Sequence, residues 1–209
     1  MKESHEFIDL FTFDSETAKE FGVPTEQCKG MILLFPLSEE SEPEKQIFST
    51  TDNDNDFKRS CKFIKQTVEN SCCLMALLHI LLNSPEEELL LSSTPSFMKD
   101  LLKVAPGDEA EKIIETSSEL AALHEEFARY GQQESTTIST LDAVPFHFVA
   151  LIPQMDNKGE VCLLDGRREG PIKFQVNEEA KSFFDAACSV AQREYKKKSQ
   201  DQTNFAAMI

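Results

Sequence analysis

Four side chains in this sequence have the chemistry of acyl transfer if folding brings them together: Cys72, His147, Asp165 and Gln66. Cys72 stands just before Leu74–Leu82, a run that is apolar almost without a polar face. Asn70 and Ser71 are good capping types directly upstream, so the spacing predicts a buried helix starting near Cys72. A thiol at that position faces unpaired backbone N–H groups and the positive end of the helix dipole, both of which stabilise thiolate near neutral pH. The plainer alternative is a small residue in the first turn of a core helix. Gln66 lies six residues earlier. Its amide and the Cys72 N–H would offer two donors to a developing oxyanion, and losing one such donor costs about 100-fold or more in rate.

His147 interrupts an apolar strand, where histidines are commonly satisfied core residues. Asp165 follows the next strand, 18 residues later. On neighbouring strands, the carboxylate would reach the imidazole, fix its tautomer and stabilise imidazolium. Asp165-Gly166 is equally an ordinary turn signal. Each feature alone carries a structural explanation as well as a chemical one.

The elements that must position these groups follow from periodicity. Phe7–Phe13 reads as a strand, and Asp14–Phe21 as a short helix stopped by Gly22. Met31–Phe35 is a continuous apolar run ended by Pro36, which fits a strand buried on both faces. Ser38–Asp56 is polar and unpatterned, a solvated loop. Gly107–Gly131 carries Ile113, Ile114, Leu120, Leu123, Phe127 and Tyr130 on one side, the pattern of one long amphipathic helix. Gln132–Ala143 reads as a second long loop. Phe146–Ile152 and Val161–Leu164 read as paired buried strands joined by a turn around Asn157-Lys158-Gly159. Asn177 opens a last helix ending in Lys196-Lys197-Lys198, where the dipole favours cations, and Asn204–Ile209 reads as a final strand. The order is mixed, an α+β or α/β domain built around one buried helix.

Length and composition bound what this domain can be. At about 150 residues per domain, 209 residues make one domain, with enough mass for a core without staples. A net charge of −16 disfavours nucleic acid and anionic membranes, since phosphate binding needs clustered Lys and Arg. It suits a basic protein or peptide partner, or simply solubility. No 18-residue apolar run exists to span a membrane, and Met1–Glu6 lacks the features of a secretory signal. The six cysteines show no CxxC and no zinc-finger spacing with the four histidines, so neither a metal nor another cofactor is expected. Reduced thiols in a cytoplasmic or nuclear protein are the economical reading.

Lys65-Gln66-Thr67-Val68-Glu69-Asn70-Ser71-Cys72, followed by Ala76-Leu77-Leu78-His79, resembles the active-site signature of the ubiquitin carboxyl-terminal hydrolases. Phe146-His147-Phe148 and Leu164-Asp165-Gly166-Arg167 match that family's histidine and aspartate motifs. Gly30–Leu37 and Tyr130-Gly131-Gln132 match in the same order. The similarity runs from about Phe7 to the C-terminus. It implies a papain-like fold, a mostly antiparallel central sheet flanked by helices, with a knotted chain. It further implies Cys72 as nucleophile, His147 as general base and then acid, Asp165 as the carboxylate that orients His147, Gln66 as oxyanion donor and Asn70 as local support. Residues 132–143 become a crossover loop that admits only small or flexible leaving groups. The implied partner is ubiquitin, whose arginine-bearing tail suits an enzyme with 37 acidic residues, acting as a monomer. His79 and His124 read as structural.

Three departures from the family pattern stand out. Cys73 occupies the usual place of a glycine and raises the question of which thiol attacks; the spacing from Gln66 favours Cys72. The chain is expected to lack the leading segment common in the family, and the interval from His147 to Asp165 is a few residues longer than usual. These leave three activities open: a thiol hydrolase releasing small adducts or short peptides from the ubiquitin C-terminus, a ubiquitin-binding protein of weak or lost catalysis, and a hydrolase of another ubiquitin-like tail.

Overall fold

A six-stranded antiparallel sheet organises the chain, in the order β1-β6-β2-β3-β4-β5. The computed structural model describes residues 6–36, 61–84, 94–134, 146–154, 160–176, 180–196 and 205–209. The strands are β1 (Asp9–Leu10), β2 (Met31–Pro36), β3 (Phe146–Pro153), β4 (Glu160–Leu164), β5 (Ile172–Gln175) and β6 (Ala206–Met208). The α-helices are α1 (Ser15–Glu20), α2 (Cys72–Leu82), α3 (Ser96–Lys103), α4 (Asp108–Thr116), α5 (Ser118–Glu134) and α6 (Phe183–Val190), the last continued by a π-helical turn over Ala191–Lys196.

Both faces of the sheet centre are covered, which explains the unbroken apolar runs of β2, β3 and β4. Met31, Leu33, Phe35, Val149, Leu151, Val161 and Leu163 pack on one face with Phe184, Ala187 and Val190 of α6. The alternate residues Ile32, Ala150, Ile152, Cys162 and Leu164 pack on the other with Ala76 and Ile80 of α2. Beyond α2 lies a third cluster, in which Met75, Leu78 and Leu82 meet Phe97, Leu101, Ile114 and Leu120 of α3, α4 and α5. Helix α2 is thus the apolar partition between the sheet and the outer helices, the role its sequence requires. Gly30 permits this approach, because a Cβ there would lie 2.9 Å from the Ile80 side chain.

Several expected boundaries move, each for a local reason. The strand over Phe7–Phe13 shrinks to Asp9–Leu10, paired with Ala207 and Met208, while Phe7 and Phe11 are left exposed. The helix over Gly107–Gly131 is two helices. Ser117 adopts extended geometry (ψ 108°), and its hydroxyl accepts a bond from the Leu120 N–H at 3.1 Å, so a serine cap ends one helix and starts the next. The last helix begins at Phe183, not Asn177, because Ser182 caps it by accepting from the Asp185 N–H at 3.2 Å. Helix α3 and strand β5 are additional to the elements expected. Helix α5 runs through Glu134, so residues 132–134 are helical and not loop. The rest of the expected crossover loop, the polar stretch from residue 38 to 56, the turn at 157–159 and Asn177 itself lie outside the described residues.

Candidate active site

The reactive groups meet where β4 ends. Strand β4 stops at Leu164, paired with Ala150, while β3 continues back to Phe146. Backbone groups of alternate residues face the same edge of a strand, so the Phe148 N–H points where β4 would have run. The Cys72 sulfur occupies that gap and accepts a bond from the Phe148 N–H. Asp165 is the first residue beyond β4, and His147 is the second residue of β3. All three therefore gather at one rim of the sheet.

His147 and Asp165 are both buried, and His147 Nε2 donates to Asp165 Oδ1 at 2.7 Å. That bond leaves Nδ1 as the ring nitrogen for Cys72, with which the imidazole is hydrogen-bonded. The Phe35 ring meets His147 edge-on, centroid to centroid 5.8 Å, and fixes the plane of the ring. Burial works against a Cys72 thiolate. The bonds from His147, Phe148 N–H and Cys73 N–H, with the imidazolium charge, outweigh it and hold the thiol below its ordinary range. Burial likewise opposes a charged His147, but bonding to Asp165 and Cys72 and their negative charge lift its pKa to about 9. Asp165 is held low against its own burial by His147, by the Arg167 N–H at 3.0 Å and by the Arg168 guanidinium at 3.3 Å. The lowered thiol and the raised imidazole favour a thiolate–imidazolium pair, and the two groups titrate together.

Cys73 is exposed, and its thiol is pushed up by desolvation of the sulfur and by the neighbouring Cys72. A weakly ionised thiol without an imidazole is the poorer nucleophile of the two. Ser71 stands at the helix start as expected but does not cap it. Its hydroxyl donates to the Val68 carbonyl at 2.7 Å, closing the turn that leads into Cys72. Asn70 adopts φ 57°, the left-handed conformation that asparagine tolerates better than most residues.

Gln66 is brought beside the triad through its backbone, its N–H donating to the Gly166 carbonyl at 2.8 Å. Gly166 is needed for more than a turn, since a Cβ there would lie 2.8 Å from Gln66 Cβ and 3.2 Å from its nitrogen. Gln66 Nε2 donates to the Val68 carbonyl at 3.1 Å, which uses one of its two hydrogens. The residues that sequence reasoning missed are Phe148, contributing only an N–H, and Arg167 and Arg168, which steady the carboxylate. Arg168, a cation three residues after Asp165, was the available signal; Phe148 and Arg167 act through backbone N–H groups that no side chain announces. Among the described residues no cluster of three or more His, Cys, Asp or Glu is placed to hold a metal ion. His124 is exposed on α5.

A helix-borne thiol, a strand-borne imidazole and an orienting carboxylate on an antiparallel sheet define a papain-like cysteine hydrolase. The family model for ubiquitin carboxyl-terminal hydrolase, family 1, matches residues 1–196. The chain belongs to that family, and with it to the thiol-dependent deubiquitinating hydrolases. It is 29% identical over 206 residues to ubiquitin carboxyl-terminal hydrolase isozyme L1 of Homo sapiens, covering 97% of this chain and 85% of that one. A ubiquitin carboxyl-terminal hydrolase of Aplysia californica is 28% identical over 189 residues, 90% and 82% of the two chains. Among solved structures, the Trichinella spiralis UCH37 catalytic domain bound to ubiquitin vinyl methyl ester superposes with a TM-score of 0.69 at 19% identity, over 97% of this chain and 83% of that one. That likeness is one of fold.

Proposed function

We propose that Cys72 attacks the carbonyl after the C-terminal glycine of ubiquitin. His147 keeps the sulfur ionised and then protonates the leaving group, while Asp165 holds the ring and stabilises its charge. The second Nε2 hydrogen of Gln66, with the Cys72 N–H, receives the oxyanion. Water then takes the place of the leaving group, with His147 acting as base. The observation that carries this assignment is the continuous bonding from Asp165 through His147 to Cys72, with the 2.7 Å carboxylate–imidazole bond at its buried end. The solved UCH37 complex, a similar fold holding a ubiquitin probe, supports ubiquitin as the substrate.

Leaving groups are proposed to be small adducts and short peptides. The protein is proposed to act in the reducing cytoplasm or nucleus, a reading supported by six cysteines without disulfide-framework spacing.

Ubiquitin bearing a C-terminal fluorogenic amide tests the assignment. The chain should release the fluorophore, and Cys72→Ala should abolish release while still binding ubiquitin. Activity surviving in Cys72→Ala would transfer the role to another thiol. Preferential cleavage of the same amide on a ubiquitin-like protein would replace ubiquitin as the substrate. Detection of the protein only inside an oxidising, membrane-enclosed compartment would refute the placement.

A further inference from the structure

Residues 61–66 carry Gln66 to the site without belonging to any strand or helix. Their backbone must nevertheless find partners where it is buried, as at Ile64. Helix α2 and its end supply them from side chains. The Asn83 amide takes both groups of Lys62, Oδ1 accepting from its N–H and Nδ2 donating to its carbonyl, each at 2.8 Å. Asn83 Nδ2 also donates to the His79 carbonyl at 2.8 Å, which locks the amide orientation. His79 Nε2 lies 3.2 Å from the Ile64 nitrogen and 3.0 Å from its oxygen, and bonds one or the other according to tautomer. Phe63 stacks on the imidazole with centroids 5.2 Å apart. Gln66 then completes the series through its N–H to Gly166.

The spacing makes this a matched pairing. Four residues along a helix advance about 6 Å, and two residues along an extended chain advance about 6.6 Å. His79 and Asn83 therefore meet Ile64 and Lys62 in register, as a neighbouring strand would. His79 also lies seven residues after Cys72, two turns along nearly the same face of α2.

We infer that His79 and Asn83 are positioning residues for catalysis: they register the Gln66 segment against the helix that carries the nucleophile. The separation of sulfur and oxyanion donor is thus set by one rigid element. This rests on the proposed role of Gln66, and a displacement of about 1 Å in such a group costs about 100-fold at the extreme. Burial of His79 keeps its ring neutral, so it serves here without carrying charge.

The test measures kcat and KM on the ubiquitin fluorogenic amide for Asn83→Ala, His79→Leu, Gln66→Ala and the two doubles with Gln66→Ala. Turnover is normalised to protein that iodoacetamide alkylates at Cys72. Asn83→Ala and His79→Leu should each lower kcat about tenfold with KM within about twofold, and should leave the pH dependence of alkylation unchanged. His79→Gln, which keeps an amide able to bond Ile64, should recover much of the loss. Neither substitution should cost anything further in the Gln66→Ala background. Equal fractional losses in that background, undiminished kcat in the singles, or a shifted alkylation profile would overturn the inference. Full turnover by Gln66→Ala alone would instead remove the oxyanion role of Gln66, and this inference with it.

Discussion

Two buried histidines in this molecule are driven in opposite directions, and the difference separates catalysis from support. His147 has a charged neighbour on each side, so its pKa rises to about 9, whereas burial takes His79 down to about 4. A histidine raised by folding adds stability that is complete below its unfolded value of about 6.5 and is lost as pH climbs through the folded value. Asp165→Asn removes the charge that holds His147 up. Its ring should titrate nearer 6.5, so above that pH Cys72 loses its cationic partner, the onset of fast alkylation should move to higher pH, and kcat/KM should fall about 100-fold or more. The pH profile of iodoacetamide alkylation measures this directly. His79 has the reverse sign. The unfolded chain binds a proton there first, so its stability contribution is present above about 6.5 and lost as pH falls toward 4, a difference of about 3 kcal/mol at most. Urea unfolding at pH 7 and pH 4 should show that loss in the parent protein and a smaller one in His79→Gln.

At the scale of elements, the early end of β4 matters most, because it opens the gap that the Cys72 sulfur fills. The turn following it admits no side chain at Gly166, so Gly166→Ala should push Gln66 away. The expected result is a kcat loss of about tenfold with a destabilisation of about 1–3 kcal/mol, read from turnover and urea midpoints. A mere turn glycine would show neither effect on kcat. The reasons some elements were legible follow from the same geometry. The apolar runs of β2, β3, β4 and α2 could be read because each is buried all round, and Cys72, His147 and Asp165 stand at their ends. The break at Ser117 was hidden, since apolar positions on both sides of it stay in phase with one helix. Strand β5 was hidden because only Phe174 of its four residues is fully buried. What holds the Gln66 segment in place could not be read. Its partners are side chains of a helix up to 21 residues away, a pairing with no periodic trace.

Across the whole molecule, the site stands at the rim between two packed bodies, the sheet with α6 and the outer helices with α2. The net charge of −16 belongs to this scale, because it acts before contact. A negative enzyme draws in a substrate with a basic tail at a rate that salt screens over about 10 Å at 0.1 M. Raising ionic strength from 0.02 to about 0.3 M should therefore raise KM several-fold for the ubiquitin amide and leave kcat nearly constant. A kcat that fell in parallel would place the salt effect in the chemistry. The sheet also brings distant parts of the sequence to one edge, where Ile8 and Ile209 exchange both backbone bonds, at 2.9 and 3.0 Å. Tension applied across those two residues would part β1 from β6 one bond after another, like a zipper, instead of shearing all of them together. The molecule is thus mechanically soft along that axis, however firmly its centre is packed.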